Sequence, residues 1–211
     1  AGTALKIYKR TGFRAIARGT GFLKLLPGDT ELADDYLPDL SKKFFTAKGQ
    51  IYPATGVRKA KVAMLAGCVM ALAHAETLEA AVRVLTRNGL EVHLTSGQAC
   101  CGALNSHSGE PGSAIEMAKQ NIDSFLSINP DAIVSASAGC GASMKDYGEL
   151  LEHDSEYADR ANKVAGLTRD IHELLVEYEF EAPTTELDIT VTSQAPCHLL
   201  NVQRIAEAPR Q

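Results

Sequence analysis

Leu90-Glu91-Val92-His93-Leu94-Thr95-Ser96-Gly97-Gln98-Ala99-Cys100-Cys101-Gly102 carries both the fold and its chemistry. It opens with apolar residues at alternate positions, Leu90, Val92 and Leu94, the period of a strand with one face buried. A few residues later come two adjacent cysteines and a glycine. The same layout occurs on either side. Val62-Ala63-Met64-Leu65-Ala66 is a short apolar run with Cys68 just past its end, and Asp131-Ala132-Ile133-Val134-Ser135-Ala136 is followed by Cys140. Helical spacing separates these strands. One helix covers Thr77–Thr86, closed near Asn88-Gly89 by a left-handed cap. Another covers residues 111–128, with Pro111 in its first turn. Further helical patterns at 142–151, 155–165 and 168–179 precede a fourth strand, Leu187–Thr192, and then Cys197. Strands alternating with helices predict an α/β fold: a Rossmann-like open, mostly parallel sheet with flanking helices.

This arrangement has a mechanical consequence. In a parallel sheet the C-terminal strand ends share one edge, where α/β folds place their ligands. Cys68, Cys100, Cys101 and Cys140 are thereby expected at one site, beside helix N-termini whose partial positive charge stabilises thiolates. A disulfide between Cys100 and Cys101 would be strained. Two neighbouring thiols facing one cavity can instead both reach a metal centre, and the flanking glycines let the backbone approach it. One buried cysteine alone, such as Cys68, ordinarily acts as a small hydrophobe, but four glycine-flanked strand-end positions are poor packing sites. Four thiolates suit an iron–sulfur cluster or a tetrahedral zinc ion. His198, next to Cys197, is read as a non-ligand. His107 can line the same cavity, although a lone loop histidine is ordinarily a surface residue. Ser143 is either a hydrogen-bond partner of a bound sulfur or a plain helix serine.

Length and charge set the frame. The 211 residues, 45% hydrophobic and 22% charged, can bury one substantial core. No apolar run approaches the roughly 20 residues that span a bilayer. Lys6, Lys9, Arg10, Arg14 and Arg18 break up the first apolar stretches, so no signal-peptide layout is present. The expected compartment is the reducing cytoplasm, where cysteines serve more as ligands or redox groups than as structural disulfides. Residues 1–61 hold 12 Lys+Arg against 5 Asp+Glu, +7, and the remainder 9 against 21, −12. Such a basic arm suits docking on a partner subunit or an anionic lipid surface, or is simply a solvated amphipathic face. No Gly-x-Gly-x-x-Gly loop, Walker loop or Gly-x-Ser-x-Gly elbow occurs, and few aromatics accompany the basic residues, so phosphate, hydrolase and nucleic-acid chemistry have little behind them.

The spacing Cys68-x31-Cys100-Cys101-Gly102-x37-Cys140 resembles the cysteine-rich CCG domain found in heterodisulfide reductase and in the glycolate oxidase iron–sulfur subunit. The words Gly97–Leu104, Ala118–Phe125 and Ala138–Gly148 look most like the glycolate oxidase branch, as does the opening segment through Tyr8–Gly12 and Thr20–Pro27. The family motif in its fullest form ends Cys-x-x-Cys, whereas position 143 here is Ser. The ferredoxin-like cysteine runs of full members are also missing from this stretch. The resemblance implies a helical basic connector over 1–60, a first CCG domain over 61–186, and the start of a truncated second one over 187–211, within a longer polypeptide. It further implies an iron–sulfur cluster of the 4Fe–4S type held by Cys68, Cys100, Cys101 and Cys140, with Cys197 belonging to a second site. Electrons would come from a partner subunit that oxidises a 2-hydroxy acid on FAD and would pass to a quinone-linked acceptor, with the complex in the cytoplasm, peripheral at the inner membrane. The alternatives are a structural zinc domain, or a redox subunit of the heterodisulfide or lactate-utilisation kind.

Overall fold

Five short strands make one sheet in the order β1–β3–β2–β4–β5. They are β1 (Gln50–Tyr52), β2 (Ala60–Met64), β3 (Leu90–Leu94), β4 (Ala132–Ser135) and β5 (Thr168–Asp170). The computed structural model describes residues 2–211. β2, β3, β4 and β5 run parallel, and only β1 is antiparallel to its neighbour. At the centre, Val62 of β2 lies opposite Val92 of β3 and Ala132 of β4. β4 is buried at every position and β2 at all but one, because helices cover both faces; β3, nearer the edge, keeps the alternation seen in the sequence.

Two apolar clusters hold the layers together. On one face α5 (Ala75–Arg87) and α11 (Ile171–Glu177) bring Leu78, Val82, Leu85 and Leu174 against Val62, Met64, Val92 and Val134. On the other, α7 (Pro111–Leu126) and α10 (Ala158–Leu167) set Ala118, Ile122, Phe125, Ala161 and Val164 against Ala63 and Ile133. The helix spacing of the apolar residues produces these faces. Gly89 at φ 85° ends α5 in the left-handed cap, and Pro111 occupies the first turn of α7. Removing a large side chain here, as in Leu85→Ala, costs about 2–5 kcal/mol. The short helices α4 (Val69–Ala73), α6 (Ala103–His107), α8 (Ala138–Lys145) and α9 (Tyr147–Leu150) follow strand ends or join the longer helices.

The opening segment forms α1 (Gly2–Arg10), α2 (Phe13–Gly19) and α3 (Thr30–Asp35). A buried carboxylate ties them together. Asp34 accepts from Tyr8 Oη at 3.0 Å and from Arg14 Nε at 3.0 Å, and Arg18 lies 3.4 Å away. The chain then docks on the α4–α5 corner, where Ser41 and Phe45 donate their amides to Leu72 and Ala71, and Phe45 enters the core. Among the described residues no helix is long and apolar enough to cross a membrane.

The sheet differs from expectation in three places. β1 was not foreseen; three residues are too few to show a period. Thr168–Asp170, expected to open a helix over 168–179, is the edge strand β5, and α11 starts only after it. The Asp170 side chain caps that helix, while Glu173 reaches back to the Asp170 amide. Leu187–Thr192, expected as a fourth strand, has no strand structure, and Leu187, Ile189 and Val191 are exposed. Its alternating pattern suits a strand. A strand lasts only where neighbours take up its backbone groups, however, and none of the five strands pairs with this segment.

Candidate metal centre

Three loops leave the C-terminal edge of the sheet side by side. After β2 the chain turns at Gly67 and places Cys68 at the start of α4. After β3 the loop Thr95–Gly102 carries Cys100 and Cys101, and Gly102 begins α6. After β4, Cys140 lies in the first turn of α8. The chain passes from β2 to β3 on one side and then back to β4 on the other. The β2 and β4 ends therefore flank the point where the winding reverses, which is where open α/β sheets form their crevice.

The sequence set is brought together as four. Cys68 Sγ lies 3.3 Å from Cys100 Sγ. The ionisation of every member is governed first by another cysteine of the set. Cys100 holds a proton on Cys68 and raises its pKa; Cys101 donates toward Cys100 and lowers that of Cys100. Cys100 and then Cys140 raise the pKa of Cys101, and Cys101 lowers that of Cys140. The four sulfurs are thus linked to one another by shared protons, which ligation of a metal centre would replace. All five cysteines are free thiols. Cys101 is buried, Cys68, Cys100 and Cys140 are half-buried, and Cys197 is exposed. Among the described residues no three His, Cys, Asp or Glu side chains have the arrangement of a single-ion site.

The donor set fits a cluster on its chemistry: four soft thiol ligands and no carboxylate within the set. Space is kept open around it. A methyl group at Gly139, beside Cys140, would meet nothing within 4 Å. Gly102 is obligatory for a different reason. Its φ is +87°, and an added Cβ would stand 3.2 Å from the backbone of Ala114 in α7. A cavity of about 500 Å³ opens past Cys101 and is lined by His107, Ser143, Asp146 and His198 among others. His107 therefore borders the site, as the sequence allowed. His198 borders it too, brought there by the turn His198–Val202, which packs on α8 through Gln203 Nε2 donating to the Ala138 carbonyl at 2.8 Å. Ser143 Oγ donates to the carbonyl of Cys101 at 3.3 Å rather than to a sulfur.

Several residues that sequence reasoning passed over hold the cysteine loop. Gln98 accepts from the Ala66 amide at 2.7 Å and donates to the Met64 carbonyl at 3.1 Å, linking the β2 and β3 loops. From α7, Gln120 donates to Gly97 O, Ser124 to Ser96 O, and Asn121 to Cys100 O. Tyr147 Oη donates to Cys101 O at 3.0 Å, and burial raises its pKa, keeping it protonated as a donor. Asn121 had one sequence signal, as a polar residue inside the apolar stripe Ala118, Ile122 and Phe125. Tyr147 had none.

Residues 62–145 match the cysteine-rich domain called CCG. The chain is 35% identical over 208 residues to the "Probable glycolate oxidase iron-sulfur subunit" of Bacillus subtilis, an alignment covering 97% of this chain and 47% of the relative. It is 34% identical over 150 residues to the "Glycolate oxidase iron-sulfur subunit" of Escherichia coli, covering 70% and 37%. The "Lactate utilization protein A" of Geobacillus kaustophilus is 29% identical over 150 residues, covering 71% and 62%. The chain thus spans less than half the length of the first two relatives. No solved structure matches it. With the cysteine spacing, the sheet-edge site and these matches, residues 62–145 belong to the CCG cysteine-rich domain family, and the chain as a whole is similar to glycolate oxidase iron–sulfur subunits.

Proposed function

We propose that Cys68, Cys100, Cys101 and Cys140 hold an iron–sulfur cluster of the 4Fe–4S type. The chain would serve as an electron-transfer part of a glycolate oxidase-type oxidoreductase. The observation that carries this reading is the meeting of four thiols from three strand ends at the crevice of the sheet, with Cys68 and Cys100 sulfurs 3.3 Å apart. When bound, the cluster supplies reversible one-electron uptake. The protein's own part is to bind and insulate. Cys101 and the core beneath it shut out water on the inner side, while the half-buried Cys68, Cys100 and Cys140 leave an outward face for electron exchange. The start of α8 directs its positive end at Cys140.

The relatives' names support a subunit of a glycolate oxidase; the finer assignments rest on the family resemblance. A partner subunit would oxidise a 2-hydroxy acid on FAD and deliver electrons here, and the acceptor would be quinone-linked. The complex would sit in the cytoplasm at the inner membrane surface. Residues 1–60 would serve as a connector, 61–186 as the cluster-bearing domain and 187–211 as the opening of a second repeat. Cys197, which is exposed, would serve there rather than here. Anaerobic purification with iron and sulfide analysis tests the reading. A brown protein with a broad band near ~400 nm is expected; a colourless protein carrying zinc would overturn it.

A further inference from the structure

Asn121 is wholly buried in the α7 face that packs on the sheet, among Ala118, Ile122 and Phe125. A buried amide is costly unless its donors and acceptor are used. Its Oδ1 accepts from the Ala99 amide at 2.7 Å, and its Nδ2 donates to the Cys100 carbonyl at 2.8 Å and to Tyr147 Oη at 3.0 Å. Tyr147, equally buried, donates in turn to the Cys101 carbonyl. Two side chains in contact thus grip three backbone groups in succession along the cysteine pair.

A peptide unit is planar and trans, so its carbonyl and its N–H point in opposite directions. Drawing the Cys100 carbonyl inward turns the Cys101 N–H outward, and drawing the Cys101 carbonyl inward does the same for the Gly102 N–H. Both N–H groups are thereby turned away from Asn121 and Tyr147. We infer that Asn121 and Tyr147 are positioning residues that orient the two peptide units of the Cys-Cys pair, so that both thiols face the site and two amide N–H groups are left free to donate to ligand sulfur. The inference rests on the proposed reading of the four cysteines as cluster ligands. Hydrogen bonds to ligand sulfur raise the potential of an iron–sulfur centre and slow its loss.

The test compares the full polypeptide with Tyr147→Phe and Asn121→Leu after anaerobic reconstitution with iron and sulfide. Tyr147→Phe removes one hydroxyl and keeps the packing, so it guards against a folding failure of Asn121→Leu. In both variants we expect the midpoint potential to fall and a chelator to strip iron about 10- to 100-fold faster, with native far-UV circular dichroism. A second arm uses metal-free protein and an alkylating agent. Cys101 should react several times faster in the variants, measured against the exposed Cys197 in the same molecule. Native potential, native stripping rate and a native alkylation ratio in both variants would overturn the inference and leave the pair as core packing. If the unaltered protein takes up no iron, the cluster reading fails, and the alkylation arm still decides whether these residues position the thiols.

Discussion

The loop Thr95–Gly102 and the segment 181–198 both lead to a cysteine, and their sequences promised the same thing. The first leaves a strand inside the sheet, and its backbone is taken up by Gln98, Gln120, Asn121, Ser124 and Tyr147. The second is exposed at every residue, and the strand expected at its centre is not formed. A cysteine becomes a ligand candidate when the segment before it is anchored on both sides. Local pattern alone does not supply that anchoring.

Substitution of the cysteines should open the widest gap between the two regions. Cys100→Ser or Cys101→Ser is expected to abolish cluster iron at this site, with far-UV circular dichroism near native, whereas Cys197→Ser keeps it; iron and sulfide per chain provide the measurement. Equal losses in all three would erase the distinction. Core and exposed apolar residues come next. Phe125→Ala beneath the cysteine loop should cost about 3–5 kcal/mol, and Ile189→Ala in the exposed segment no more than about 0.5 kcal/mol, by urea unfolding. Gly102→Ala sharpens the point at the loop itself. A left-handed φ costs an L-residue about 1–2 kcal/mol, and the added methyl meets the α7 backbone, so stability and iron content should fall together.

Smaller effects are expected with pH. Burial pushes the Asp34 pKa upward, but hydrogen bonds from Arg14 and Tyr8 and the charges of Arg14 and Arg18 outweigh it, and the net pKa is lowered. A depressed folded-state pKa gives stability that is present above the unfolded value of about 3.9 and lost as pH falls through the folded one. Acid should therefore loosen α1–α3, read as new proteolytic cleavage there, and Asp34→Asn should give that cleavage already at neutral pH. His172 has the opposite sign. Its hydrogen bond to Asp170 outweighs burial and raises its pKa, so its contribution is full below about 6.5 and fades as pH rises through the folded value. Hydrogen exchange in the first turn of α11 should rise slightly over that range, and His172→Ala should remove the dependence.

Much of the fold could be read from the chain. β2, β3 and β4 are each long enough to show a buried run or an alternation, and Gly89 and Pro111 marked helix ends. Gln50–Tyr52 and Thr168–Asp170 are too short to show a period, and the second lay inside helical spacing. The Asp170-x-x-Glu173 capping box was the signal that would have moved the start of α11. At the site, the four cysteines were legible because each follows a strand. The grip on them was not. Asn121 and Tyr147 act on residues more than 20 positions away, and that depends on how α7 and α9 pack rather than on any local motif.

Anomalous diffraction at the iron edge, from crystals of the full polypeptide grown without oxygen, tests the central claim most directly. Iron should be bonded to the sulfurs of Cys68, Cys100, Cys101 and Cys140 at the β2–β3–β4 edge. A single zinc ion, a Cys100–Cys101 disulfide, or iron found only elsewhere would contradict it.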